Sequence, residues 1–302
     1  MTSTEMAINA KRIDFTSKVN GKDYRLLISE PAGEPPAEGW PVVYLIDGSL
    51  HFGITVDTMR IQACWPETQD AVIVGIAYQT DSVQTALAVR NHDLTPPISQ
   101  EILDGSWMKD MPVGVEGYGG QAAYLRMIEE EARPLAAQHA RINQGDQTLI
   151  GHSLGGLTSL TVLFSNPGMF QRYVAISPSI WYANRWVLGL VDEFEEQVRS
   201  GGVNAQLFLS TGEFEEIDPL YPPFPKSKMP ISEKMPISED VFKAMMADCA
   251  MVTLPAQLTE RLKPLCGTRF DMKFVVHKGE DHRSVVPAGI AGGIYYTQYR
   301  PE

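Results

Sequence analysis

Residues 147–160 read QTLIGHSLGGLTSL. An apolar run, QTLIG, passes directly into GHSLGG and then into a helix-forming run, LTSLTVLF. A G-x-S-x-G segment between a strand and a helix has the form of a nucleophile elbow. The logic is steric: Gly151 and Gly155 flank Ser153 where side chains would collide with neighbouring backbone in a sharp turn. The turn lifts the Ser153 hydroxyl off the sheet. It also aims a helix N-terminus, with free N–H groups and partial positive charge, at the same point. The Leu154 N–H is then the first expected oxyanion donor. Helix capping also explains a serine at a helix start, so the rest of the chain has to decide.

Outward from this stretch, short apolar or β-branched runs alternate with longer segments of helical period. The runs are residues 24–29, 42–46, 71–77, 147–151, 173–177, 206–210 and 272–277. Several are apolar on both faces, as strands covered by helices on either side must be. Helices are predicted near residues 52–63, 120–139, 154–165, 184–199, 240–262 and 284–298. This alternation predicts one α/β domain over residues 1–302 with a mostly parallel central sheet. The earliest strands, within residues 13–29, are expected to pair antiparallel around VNGKDY. Two stretches break the rhythm, residues 91–119 and the proline-rich 216–240, which contains the tandem KMPISEKMPISE. Both are read as loop insertions forming a lid or flap.

A serine hydroxyl needs a base to take its proton and an acid to orient that base. In this architecture the chain order is serine, acid, histidine. Of the six histidines, at 51, 92, 139, 152, 277 and 282, only the last two come late enough. His277 ends an apolar run, whereas His282 sits in VVHKGEDHRSV on a glycine-containing loop before the last helix, which makes it the expected base. The acid should follow the run at 206–210, where TGEFEEIDP offers Glu213, Glu215, Glu216 and Asp218. Glu215 is favoured and Glu213 is the alternative. A second oxyanion donor should come from DGSLHF (residues 47–52), through Gly48 or Ser49, with Asp47 as a brace and His51 as a packing or rim residue.

Bulk properties narrow the function. Apolar residues make up 44% and charged residues 21%, ordinary for a globular chain. With 25 basic against 37 acidic residues the net charge is −12, which disfavours nucleic acid and anionic membranes. No run reaches the ~20 apolar residues of a membrane helix. The N-terminus has no continuous apolar core, and the three cysteines show no close pairing. A cytoplasmic location with reduced thiols is the simplest expectation.

YLIDGSLHF, GHSLGG, SPSIWY (177–182), GEFEE and KGEDHRSV occur in an order that resembles the esterase family of α/β hydrolases, the branch holding esterase D-like enzymes and trilactone siderophore esterases. The resemblance covers about residues 20–298. It implies an α/β-hydrolase fold and a serine ester hydrolase acting through an acyl-enzyme on a small-molecule ester, with no metal or organic cofactor. It also suggests siderophore-type lactones as substrates. RNHDLTP (90–96) matches a stretch near the active site of siderophore esterases, so Arg90 is expected either to contact substrate or to pair with Asp93. Arg90, His152, Trp181 and Tyr182 are the candidate substrate contacts, with Trp107 and Tyr118 as further walls. Arg283 and Lys278 could supply charge to an anionic substrate. The alternatives are acyl transfer by the same residues, or a non-catalytic binding protein of the same fold.

Overall fold

The apolar runs form one sheet of eight strands: β1 (Ala10–Thr16), β2 (Asp23–Ser29), β3 (Trp40–Leu45), β4 (Val72–Tyr78), β5 (Ile142–His152), β6 (Arg172–Ile176), β7 (Ala205–Gly212) and β8 (Phe270–His277). Their spatial order is β1-β2-β4-β3-β5-β6-β7-β8. The computed structural model describes residues 10–80, 82–110, 116–216, 245–267 and 269–300. The pairs β1–β2 and β2–β4 are antiparallel, and every later pair is parallel. The helices are α1 (Gly48–Gln62), α2 (Val83–Asp93), α3 (Gln100–Asp104), α4 (Gln121–Met127), α5 (Arg133–His139), α6 (Leu154–Ser165), the distorted turn α7 (Tyr182–Arg185), α8 (Val191–Arg199), α9 (Thr253–Leu262) and α10 (Val285–Gln298). None of the described helices is long and apolar enough to cross a membrane.

Strand periodicity divides the core between the two faces. On β3, Val43 and Leu45 join Phe52, Val56 and Met59 of α1 and Ile290 and Ile294 of α10. Their neighbours Val42 and Tyr44 join Leu157, Leu160 and Phe164 of α6 and Phe194 of α8 on the other face. Burial on both faces accounts for the continuous apolar reading of these strands.

Several boundaries differ from those predicted, for physical reasons. Helix α1 begins at Gly48 rather than near 52, because Asp47 (φ 58°) turns the chain at once. Strand β5 reaches back to Ile142, pairing with Trp40 through a polar, half-exposed stretch with no apolar run to announce it. Helix α2 was not anticipated at all, since VQTALAVRNHD has almost no amphipathic asymmetry; Ser82 caps it by accepting from Thr85 N at 3.3 Å. The segment predicted at 184–199 is broken by positive φ at Ala183, Asn184 and Arg185, and only its second half is α-helical. Of the expected lid segments, 91–119 includes the end of α2, α3 and a tight turn over Trp107–Asp110. Asp218 and the KMPISE tandem lie outside the described residues, as does all of 216–240 except Glu216.

Candidate active site

Parallel strands bring the residues that follow them to one edge of the sheet. Asp47 follows β3, Ser153 follows β5, Ser177 follows β6, Glu215 follows β7 and His282 lies beyond β8. Three of these non-glycine residues take positive φ: Asp47 at 58°, Ser153 at 60° and Ser177 at 43°. Such conformations cost on the order of 1–3 kcal/mol each and persist only where the surroundings impose them. For Ser153 the imposition is visible. Its N–H donates to Ile176 O at 3.0 Å, and its carbonyl accepts from Leu157 N at 2.9 Å and Ser179 N at 3.1 Å.

The glycines around Ser153 do different work. A Cβ on Gly151 would lie 2.0 Å from Gly155 O, so strand and helix could not meet. A Cβ on Gly156 would lie 2.9 Å from both Ile176 O and Pro178 Cα. Gly155 is less demanding, its nearest obstacle being Ile46 Cγ2 at 3.1 Å. The clearance at the elbow is therefore set by Gly151 and Gly156 more than by Gly155.

His282 Nδ1 and Glu215 Oε2 are 2.5 Å apart. A carboxylate only accepts, so Nδ1 carries a ring proton, and in the neutral imidazole Nε2 is then the acceptor nitrogen. Glu215 is 1% exposed, and its other oxygen accepts from Ser177 Oγ at 2.5 Å, Gly212 N at 2.5 Å and Thr211 Oγ1 at 3.3 Å. These donors settle the buried charge and fix the carboxylate's orientation. The neighbouring acids are used otherwise. Glu213 accepts from Gly279 N at 2.9 Å, and Glu216 receives Val252 N, Thr253 N and Thr253 Oγ1 at the start of α9. His277 makes no hydrogen bond to this pair, and its Nε2 is buried without a partner. Ser153 Oγ lies 3.5 Å from Ser179 Oγ. Ser177 and Ser179 escaped the sequence reading, although both stand in the SPS that directly follows β6.

The turn after β3 lies against the elbow, with Asp47 Oδ2 and Ile46 within 3.5 Å of where a Gly155 Cβ would stand. The starts of α1 and α6 thus converge, and Gly48, Ser49 and Leu154 stand in first turns, whose N–H groups have no intrahelical acceptor. Gly48 is required for close approach rather than for its φ, since a Cβ there would meet Gly75 C at 2.7 Å. Arg90 makes a contact that the sequence reading did not name. Its Nε and Nη2 donate to Asp47 Oδ1 and Oδ2 at 2.9 and 2.8 Å, so the guanidinium is engaged by Asp47. An Arg90–Asp93 pair does not form, because Asp93 accepts from Lys22 Nζ at 2.6 Å and Tyr24 OH at 2.7 Å.

The expected walls divide in the same way. Trp181 is half-buried with its ring 5.0 Å from Trp107, and Trp107 Nε1 donates to Asp248 at 3.1 Å. Tyr182 is 1% exposed and donates its hydroxyl to Pro96 O at 3.0 Å; it packs beneath Tyr118 instead of lining an open face. His152 is likewise turned inward, Nε2 lying 2.9 Å from the His282 carbonyl and its ring between those of His51 and His282. Burial, followed by the nearby His282, His51 and Arg90, holds the His152 pKa well below the usual 6.5. Arg283 pairs with Asp281 at 2.8 Å, and Lys278 is exposed. His92, Asp93 and Glu116 cluster with the spacing of metal ligands, but the Lys22 ammonium contacts all three and is their cation.

This arrangement has the parts for acyl transfer: a hydroxyl at an elbow, a buried carboxylate holding an imidazole, and two helix starts facing the same edge. The chain is 31% identical to the ferri-bacillibactin esterase BesA of Bacillus subtilis (strain 168), over 98% of this chain and 92% of that protein. It is 30% identical to a siderophore enterobactin esterase of Emericella nidulans, over 90% and 88% of the two chains. Among solved structures, the BES protein from Bacillus cereus superposes with a TM-score of 0.78 at 29% identity, covering 99% of this chain and 98% of that one. Residues 17–198 match the family model Esterase, described as "Putative esterase". The chain therefore belongs to this esterase family and is an ester hydrolase of the α/β-hydrolase fold.

Proposed function

We propose that Ser153 is the nucleophile, His282 the general base and Glu215 the acid that orients it, acting on a siderophore-type lactone or a related small ester. The reading rests above all on the 2.5 Å contact between His282 Nδ1 and the buried Glu215. With Nδ1 protonated, His282 Nε2 takes the Ser153 proton as Oγ attacks the ester carbonyl. The N–H of Leu154 and one from Gly48 or Ser49 receive the developing oxyanion. His282 then protonates the leaving alcohol, and water repeats the sequence on the acyl-enzyme. Trp181, with Trp107, supplies an aromatic wall. The siderophore assignment draws on the named relatives, and a reducing, cytoplasmic setting draws on the free thiols Cys64, Cys249 and Cys266.

The test is turnover by Ser153→Ala on short p-nitrophenyl esters and on a trilactone siderophore. Loss of both activities with an unchanged fold is the expected result, and retained turnover overturns the nucleophile. Turnover of p-nitrophenyl esters alone by the unaltered enzyme overturns the siderophore assignment.

A further inference from the structure

The loop that carries His282 is tied down on two sides. Toward the end of β7 it is held by Phe214 N donating to Glu280 O at 2.9 Å, Gly279 N donating to Glu213 at 2.9 Å, and the His282–Glu215 contact. All three reach the turn after β7 that presents the acid. Toward β5, where the elbow serine stands, the hydrogen bond among the described residues is that of His152 Nε2 with His282 O, at 2.9 Å. A carbonyl only accepts, so the proton of this bond sits on His152 Nε2.

His152 is adjacent to Ser153, whose backbone is pinned to Ile176, Leu157 and Ser179. Its ring lies 4.6 Å from that of His282 and 5.8 Å, edge-on, from that of His51, which limits rotation away from the carbonyl. We propose that His152 is a positioning residue that sets the reach between the base and the nucleophile by holding the backbone of His282 against the elbow. This inference rests on Ser153 and His282 acting as proposed above. It assigns the residue before the serine to catalytic geometry rather than to substrate contact.

Three variants separate the possibilities. His152→Phe keeps an aromatic ring between His51 and His282 but removes the donor, whereas His152→Gln places an amide N–H near the position of Nε2. The expected result for His152→Phe is a kcat loss of at least about 10-fold, toward the ~100-fold that a 1 Å misplacement costs. Its KM stays within about twofold, since no ground-state contact is lost. His152→Gln recovers most of the kcat, and the rate of Ser153 labelling by a fluorophosphonate falls and recovers in step with kcat/KM. Equal kcat in the two variants, or a rise in KM at unchanged kcat, overturns the inference. Ser153→Ala, assayed alongside, distinguishes the failures. Turnover there sinks the serine mechanism itself, while an inactive Ser153→Ala with indistinguishable His152 variants sinks only the positioning role.

Discussion

Arg90 grips Asp47 at two points, Nε to Oδ1 at 2.9 Å and Nη2 to Oδ2 at 2.8 Å, with the two side chains only 11% and 5% exposed. Asp47 is the left-handed residue from which α1 springs, so this pair secures the turn carrying Gly48 and Ser49. Breaking a buried pair by deleting one partner strands the other charge and costs about 3–5 kcal/mol. Arg90→Ala should lose that much stability in urea denaturation. Arg90→Lys should recover less than half, because an ammonium cannot reproduce the planar two-point bond. A cost below about 1 kcal/mol for Arg90→Ala would show that Asp47 finds other donors.

The three described acids after β7 should separate cleanly. Glu215→Gln disturbs the carboxylate that selects the His282 tautomer, a change that costs about 10⁴-fold in kcat in serine hydrolases of known triad. Glu213→Gln and Glu216→Gln should stay within about tenfold of the unaltered enzyme, since both act through backbone donors away from the ring. Glu216→Gln should also lose about 1 kcal/mol of stability, because Glu216 caps α9. Steady-state kinetics on a p-nitrophenyl ester decides the order, and equal losses for Glu213→Gln and Glu215→Gln would reassign the acid.

These assignments show where sequence reading holds and where it stops. The sharp turn at Ser153 and the meeting of His282 with an acid after β7 were legible because each depends on local spacing: a serine between glycines, an acid just past a strand, a histidine on the last loop. The Arg90–Asp47 pair was not legible because the two residues stand 43 apart in the chain and Arg90 lies on an unannounced helix. The inward contacts of His152 and Tyr182 were not legible because nothing in GHS or WY tells whether a ring faces out or in. Ser177 was missed because a strand-end serine has no signature until β7 brings Glu215 beside it. Local rules point to Ser153, Glu215 and His282 as candidates, and the tertiary fold adds the neighbours Ser177, Ser179 and Asp47.

The elbow also predicts a trade between stability and activity. Ser153 holds φ 60° and ψ −118°, a conformation that glycine adopts with far less strain. Ser153→Gly should therefore abolish turnover while raising the unfolding free energy by about 1–3 kcal/mol over Ser153→Ala, the strain such a residue stores. Gly151→Ala should have the opposite character, losing folded protein outright, since its Cβ meets Gly155 O at 2.0 Å. Gly155→Ala, facing a movable Ile46 side chain at 3.1 Å, should be the mildest of the elbow glycine substitutions. Thermal melts of the purified variants test the ranking, and a Ser153→Gly no more stable than Ser153→Ala would mean that the elbow is not strained.

Acid should destabilise the fold through histidines that it holds neutral. Burial lowers the pKa values of His51, His152 and His277 from the usual 6.5; for His152 the neighbouring His282, His51 and Arg90 add to it, and for His277 Glu280 and Glu215 work against it. Above pH 6.5 these rings are neutral in both the folded and unfolded chains and contribute no pH dependence. Below it the unfolded chain binds protons that the folded chain refuses, so stability falls as pH drops. Each histidine held fully neutral contributes up to about 1.4 kcal/mol per pH unit to that slope. Urea midpoints measured between pH 7 and 5 should decline, and His152→Gln should flatten the decline by removing the ring with the largest opposition to protonation. An unchanged slope in that variant would mean that His152 binds its proton equally in the folded and unfolded chains.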